Sequence, residues 1–191
     1  MNHNRIILSL FDYSGNWPKY YKENGYSVYQ IDLKLGIDIL ELSKKDFPFD
    51  SVHGILAAPP CTDFAGSGAQ YWKAKDEDGR TEASLALIDK TLEIIEWFHP
   101  TWWVLENPVG RLPKLRPQIG SPWYFQPFWY GDPWTKKTGL WGNFNKDLPR
   151  NEVKPDPNSW IMKLGGKSER TKELRSMTPL GFAKAFYLAN P

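Results

Sequence analysis

Residues Arg5–Asn16 read RIILSLFDYSGN. The apolar run Arg5–Phe11 is closed by Asp12, Ser14, Gly15 and Asn16, the pattern of a buried strand entering a turn. The same unit recurs along the chain. Ser27–Asp32 (SVYQID) alternates and ends on an acid. Gly54–Ala58 (GILAA) is stopped by Pro59-Pro60, and Trp102–Leu105 (WWVL) ends on Glu106. Helical segments lie between these runs. Trp17–Gly25 carries Pro18 where a first turn accepts it and Gly25 where a helix stops. Glu82–Phe98 places Leu85, Ile88, Leu92 and Ile95 on one face and ends before His99-Pro100. Strands without a polar face, alternating with helices, predict an α/β, Rossmann-like fold: a mostly parallel sheet with helices on both faces.

The C-terminal third has a different texture. Trp123–Trp129 and Thr138–Trp141 read as strands, Asn143–Ser159 as a polar, proline-rich loop, and Met177–Ala189 as a closing helix. A chain of 191 residues fits a single domain spanning 1–191. Its 41% hydrophobic content excludes a disordered chain. The ten tryptophans read first as packing residues. One cysteine excludes an intramolecular disulfide, and His3, His53, His99 and Cys61 lack metal-ligand spacing, so no metal is expected. No apolar run is long enough to span a membrane, and MNHNRIILSLF turns polar too early for a signal peptide, so the expected compartment is the cytoplasm. A net charge of +2 neither requires nor excludes nucleic acid, although a dedicated duplex-binding surface is usually more basic.

Polar residues gather just after the predicted strands: Asp12–Asn16, Asp32, Pro59–Asp63 and Glu106-Asn107. Open parallel sheets bind ligands outside the carboxyl ends of their strands, so these turns predict one ligand-binding edge. Gly15 suits either close backbone approach to a ligand or an ordinary turn, and Phe11 can cover a planar base. Asp32 follows Gly15 by about 17 residues, the kind of offset at which an acid accepts from ribose hydroxyls. Asp38 can accept from an adenine amino group or cap a helix.

Pro59-Pro60 fixes the backbone where the third strand stops and presents Cys61 at the sheet edge. Free cysteine is usually a small buried apolar residue, but here polar Thr62-Asp63 follows it. Glu106 and Asn107 end the next strand and can face the same cleft. A carboxylate does not lower a thiol pKa, so Glu106 reads as a proton carrier for the substrate rather than an activator of Cys61.

Together these motifs resemble the cytosine-C5 DNA methyltransferases. SLFDYSGNW is similar to that family's first motif, F-x-G-x-G after a strand. Asp32 and Gly36–Ile39 resemble its second and third motifs, APPCTDF its P-C-Q-x-F loop and LENP its E-N-V strand. Tyr130–Gly142 (YGDPWTKKTGLWG) resembles Y-G-x-P-Q-x-R-x-R, and Arg175–Phe186 more weakly resembles R-x-L-T-x-R-E-x-A-R-L-Q. The motifs stand in the family's order. The resemblance implies an S-adenosylmethionine-dependent methyltransferase fold, with S-adenosylmethionine held by Phe11, Gly15, Asp32, Asp38 and Pro59. It implies Cys61 as the nucleophile on cytosine C6, with Pro60 shaping its turn, Glu106 protonating N3 and Asn107 orienting that contact. Thr62, Lys136, Lys137 and Arg111 are the candidate substrate contacts, and on a free cytosine nucleotide such as dCMP the three cations would hold the phosphate. The family flips its target base out of the duplex.

Several positions depart from the family pattern. Tyr13 and Asn16 stand where the first motif often has glycine, Thr62 and Ala65 follow the cysteine in place of glutamine and serine, and Lys136 replaces an arginine. Lysine keeps the charge but loses the bidentate fork. Only Asn143–Leu174 separates the Y-G-x-P segment from the C-terminal motif, too short for a target recognition domain. The expected acceptor is therefore DNA read with little autonomous specificity or presented by a protein partner. The alternatives are a free cytosine nucleotide such as dCMP, and a non-catalytic protein that binds nucleic acid or a partner on the same fold. An amino-methyltransferase would need Asp or Asn before the prolines and an aromatic after them, positions held by Ala58 and Cys61.

Overall fold

A computed structural model describes residues 4–161, 163–164 and 168–191. Residues 1–3, which include His3, and residues 162 and 165–167, within the stretch that separates the two C-terminal motifs, lie outside the described residues. The described strands form one six-stranded sheet. They are β1 (Ile6–Leu10), β2 (Ser27–Ile31), β3 (Gly54–Ala57), β4 (Trp102–Pro108), β5 (Trp123–Phe125) and β6 (Thr138–Asn143), in the order β2-β1-β3-β4-β6-β5. The first four pair in parallel, whereas β6 runs antiparallel to both β4 and β5.

The α-helices are α1 (Lys19–Glu23), α2 (Trp72–Glu77), α3 (Arg80–Phe98), α4 (Leu112–Leu115), α5 (Glu169–Ser176) and α6 (Leu180–Ala189). Alternate strand residues feed opposite cores, which is why the central strands have no polar face. Ile7, Leu56, Val104 and Leu140 pack with Trp17, Tyr21 of α1, and Phe182 and Phe186 of α6. Leu8, Leu10, Ile55 and Ala57 pack with Ile94, Ile95 and Phe98 of α3. Each such wholly buried aliphatic chain contributes about 1.5–3 kcal/mol. Phe125 and Phe182 stack at 3.8 Å, clamping α6 onto the antiparallel edge.

The expected α/β sheet with helices on both faces is observed. The run Trp123–Trp129 differs from its reading as one strand: β5 ends at Phe125 and a 3-10 turn, Pro127–Tyr130, comes next. Pro127 has no N–H to extend the ladder. The closing helix starts at Leu180 rather than Met177, because Pro179 precedes it in an extended conformation. No described helix is long and apolar enough to cross a membrane.

Candidate active site

The carboxyl ends of β1 to β4 open into one cavity of about 1120 Å³. Its first wall comes from the turn after β1. Phe11 adopts φ 60, uncommon for a residue with a side chain, and its N–H donates to Ile31 O at 2.8 Å. Asp12 organises the rest of the turn, accepting from Gly15 N at 2.8 Å and from Ser14 Oγ at 2.7 Å. Gly15 has φ +69, and a Cβ there would press the Gln30 amide at 3.2 Å. The positive φ favours glycine at that position, and the close Gln30 amide adds to the preference.

Asp32 accepts from Lys34 N at 2.8 Å and Asp38 from Leu40 N at 2.9 Å, so each caps a short 3-10 turn. Both also line the cavity, beside Phe11, Ile31 and Ile37. For Asp38 the two readings, cap and ligand contact, are therefore compatible. Gly15 shapes the turn behind Phe11 without lining the cavity.

β3 hands the chain to the opposite wall through Pro59 and Pro60, both on the cavity surface. The Cys61 carbonyl then accepts from Phe64 N at 3.0 Å and Ala65 N at 2.9 Å, a tight turn that leaves Cys61 on the cavity wall. Burial pushes the Cys61 thiol pKa up, and the Glu106 charge adds to this, while Lys136 pulls it down. Glu106 extends from β4, the parallel neighbour of β3, in which Ala57 pairs with Leu105. Lys136 Nζ stands 3.8 Å from Glu106 Oε1. Lys136 is itself fixed through its backbone N–H, which donates to Gln126 Oε1 at 3.0 Å. Asn107 lies behind this wall, fully buried, and donates from Nδ2 to Pro59 O at 3.2 Å. It ties the end of β4 to the Pro-Pro turn.

Thr62, Lys136, Glu106 and Cys61 thus share one cavity, but Arg111 and Lys137 do not line it. Arg111 is 8% exposed. Its Nη1 and Nη2 donate to Asp76 at 2.8 Å each, Nη2 to Thr81 Oγ1 at 2.7 Å and Nε to Asp63 O at 3.1 Å. Its guanidinium also sits over the Trp72 ring at 4.8 Å. This corrects the reading of Arg111 as a phosphate holder: its donors are spent inside the protein. Lys137 is exposed and lies over the Tyr124 ring at 4.6 Å.

Three features had no counterpart in the sequence reading. Lys75 of α2 and Ser84 of α3 reach the cavity. The stretch after Cys61 is stapled to the one after β4, with Gly66 N donating to Val109 O and Arg111 N to Phe64 O, both at 2.9 Å. Helix α5 covers the wall beside Asp32 and Lys34 with Lys172, Glu173 and Ser176, and Lys34 pairs with Glu173 at 3.4 Å. Only the α5 start carried a legible signal: Ser168 accepts from Thr171 N as an N-cap.

A family model described as C-5 cytosine-specific DNA methylase matches residues 12–116, more than half of the chain. That span holds Asp32, Cys61 and Glu106. A Frog virus 3 (isolate Goorha) protein named "Probable DNA (cytosine-5)-methyltransferase" is 27% identical over 204 residues, covering 91% of this chain and 94% of its own length. A solved structure, of a candidate DNA modification methyltransferase encoded within an E. coli prophage, aligns with a TM-score of 0.49 at 16% identity. The alignment covers 86% of this chain and 56% of that one.

Proposed function

This chain belongs to the C-5 cytosine-specific DNA methylase family, and from that premise we propose that it methylates C5 of cytosine in DNA, using S-adenosylmethionine and Cys61 as nucleophile. The observation that carries the residue assignment is the convergence of Cys61, Glu106 and Lys136 on one cavity at adjacent parallel strand ends.

The β1–β2 side of that cavity fits the methyl donor. It offers the Asp32 and Asp38 carboxylates for ribose and adenine donors, and Phe11, Ile31 and Ile37 as an apolar bed. When bound, S-adenosylmethionine supplies an electrophilic methyl group. On the opposite wall the Cys61 sulfur adds to C6 of the cytosine once its proton has left. Glu106 holds a proton at N3, so that the electron density pushed into the ring collects at C5. After C5 is methylated, the C5 proton passes to solvent water, its electron pair re-forms the C5–C6 double bond as the Cys61 sulfur leaves C6, and the N3 proton returns to Glu106. Covalent addition divides one difficult substitution into accessible steps. Asn107 keeps β4 and the Pro-Pro turn in register, so the acid and the nucleophile stay on the same target.

The stretch between the two C-terminal motifs has no room for a target recognition domain, so a single catalytic domain acts with low autonomous specificity or on DNA presented by a partner protein. The test supplies S-adenosylmethionine with a labelled methyl group to the full chain, with duplex and single-stranded DNA offered in parallel. Label should enter DNA cytosine and should be lost in Cys61→Ala. Full transfer by Cys61→Ala would exclude covalent catalysis.

A further inference from the structure

A lysine is rarely buried, yet Lys75 of α2 is 5% exposed and sits on the wall of the catalytic cavity. Its Nζ donates to Thr62 O at 2.6 Å and pairs with Asp63 Oδ1 at 3.0 Å. The second oxygen of Asp63 accepts from Ser84 Oγ at 2.6 Å, and the Asp63 carbonyl accepts from Arg111 Nε at 3.1 Å. The two residues after Cys61 are therefore gripped from α2, from α3 and from the turn after β4. None of these contacts serves the proposed chemistry directly. Their common effect is to fix the chain beside the thiol.

We propose that Lys75 is a positioning residue for Cys61, acting through Thr62 and Asp63, and that this ion pair latches the nucleophile turn in its reacting place. The role rests on the reading of Cys61 as the nucleophile. Its electrostatic part comes from the groups that face the thiol: Glu106 from β4, Lys136 from the segment before β6, and Asp63 on the same turn. Lys75 pairs with Asp63 and offsets its charge, so that Glu106 and Lys136 outweigh Asp63 around the sulfur. Without Lys75, the buried Asp63 carboxylate stands unpaired beside it.

Because the chain has one cysteine, alkylation by iodoacetamide reads that thiol directly and without turnover. The experiment compares the full-length wild type with Lys75→Met and with the double variant Lys75→Met/Asp63→Asn, which leaves no unpaired buried charge if the single variant fails to fold. In both variants kcat for methyl transfer should fall about 10²-fold, the usual scale for a reacting group misplaced by ~1 Å, with KM for S-adenosylmethionine unchanged. The pH midpoint of alkylation should rise in Lys75→Met and fall back to the wild-type position or below it in the double variant, which lacks the Asp63 charge. A wild-type kcat together with a wild-type alkylation profile in either folded variant would overturn the latch. Full methyl transfer by Cys61→Ala would instead overturn the nucleophile reading, a result that the alkylation profiles cannot produce.

Discussion

Lys136 Nζ lies 3.8 Å from Glu106 Oε1, and both side chains line the cavity that holds Cys61. The pair sets opposite pulls on one thiol: the Glu106 charge disfavours the thiolate and Lys136 favours it. Burial adds to the first, so the thiol keeps its proton above its ordinary value of 9.0.

Glu106→Gln separates two roles of that carboxyl. Removing the proton carrier should lower methyl transfer by roughly 10²–10⁴-fold, the usual range for general acid–base groups. Removing the negative charge should also lower the pH at which Cys61 reacts with iodoacetamide. Turnover falling while the thiol becomes more reactive is the expected signature, read by parallel kinetic and alkylation profiles.

Lys136→Met should act in the opposite sense on the thiol. Loss of the cation removes the one charge among Glu106, Lys136 and Asp63 that favours the thiolate, so the alkylation midpoint should move to higher pH. At neutral pH the alkylation rate should fall about tenfold, equivalent to ~1.4 kcal/mol. Lys136→Arg keeps the charge and should retain most of the wild-type rate.

Asp32→Asn tests the cofactor wall. Asparagine is as good a cap as aspartate, so the 3-10 turn held by the Lys34 N–H should survive. The charged acceptor is lost, and calorimetry should record roughly tenfold weaker S-adenosylmethionine binding, the scale of one hydrogen bond to a charged group. An unchanged affinity would remove Asp32 from the binding site.

Gly110→Ala addresses the staple between the two catalytic strand ends. A Cβ at residue 110 would meet Phe64 O at 1.9 Å, a backbone atom that cannot rotate away. Overpacking of this kind costs about 1–3 kcal/mol. For a chain of this size each kcal/mol corresponds to about 2–4 °C in Tm. Thermal unfolding should show that loss, and methyl transfer should fall with it because the Cys61 turn is displaced.

The parallel half of the sheet and the polar residues at its carboxyl edge were legible in the amino-acid order alone. Apolar runs ending in Asp32, Pro59-Pro60 and Glu106 can be read locally, because burial on both faces and termination by a polar or proline residue are properties of adjacent positions. The gathering of Phe11, Cys61 and Glu106 at one cavity was legible for the same reason. Other assignments had to wait for the folded chain, because they depend on partners far apart in sequence. Arg111 looked like a free cation, but Asp76, Asp63 and Thr81 converge on it and turn it into a buried brace. Nothing in the sequence singled out Lys75, yet folding places it against Thr62 and Asp63. A charged residue carries no local sign of whether water or an opposite charge will solvate it. That choice is made when α2, α3 and the turn after β4 close around the segment beyond Cys61.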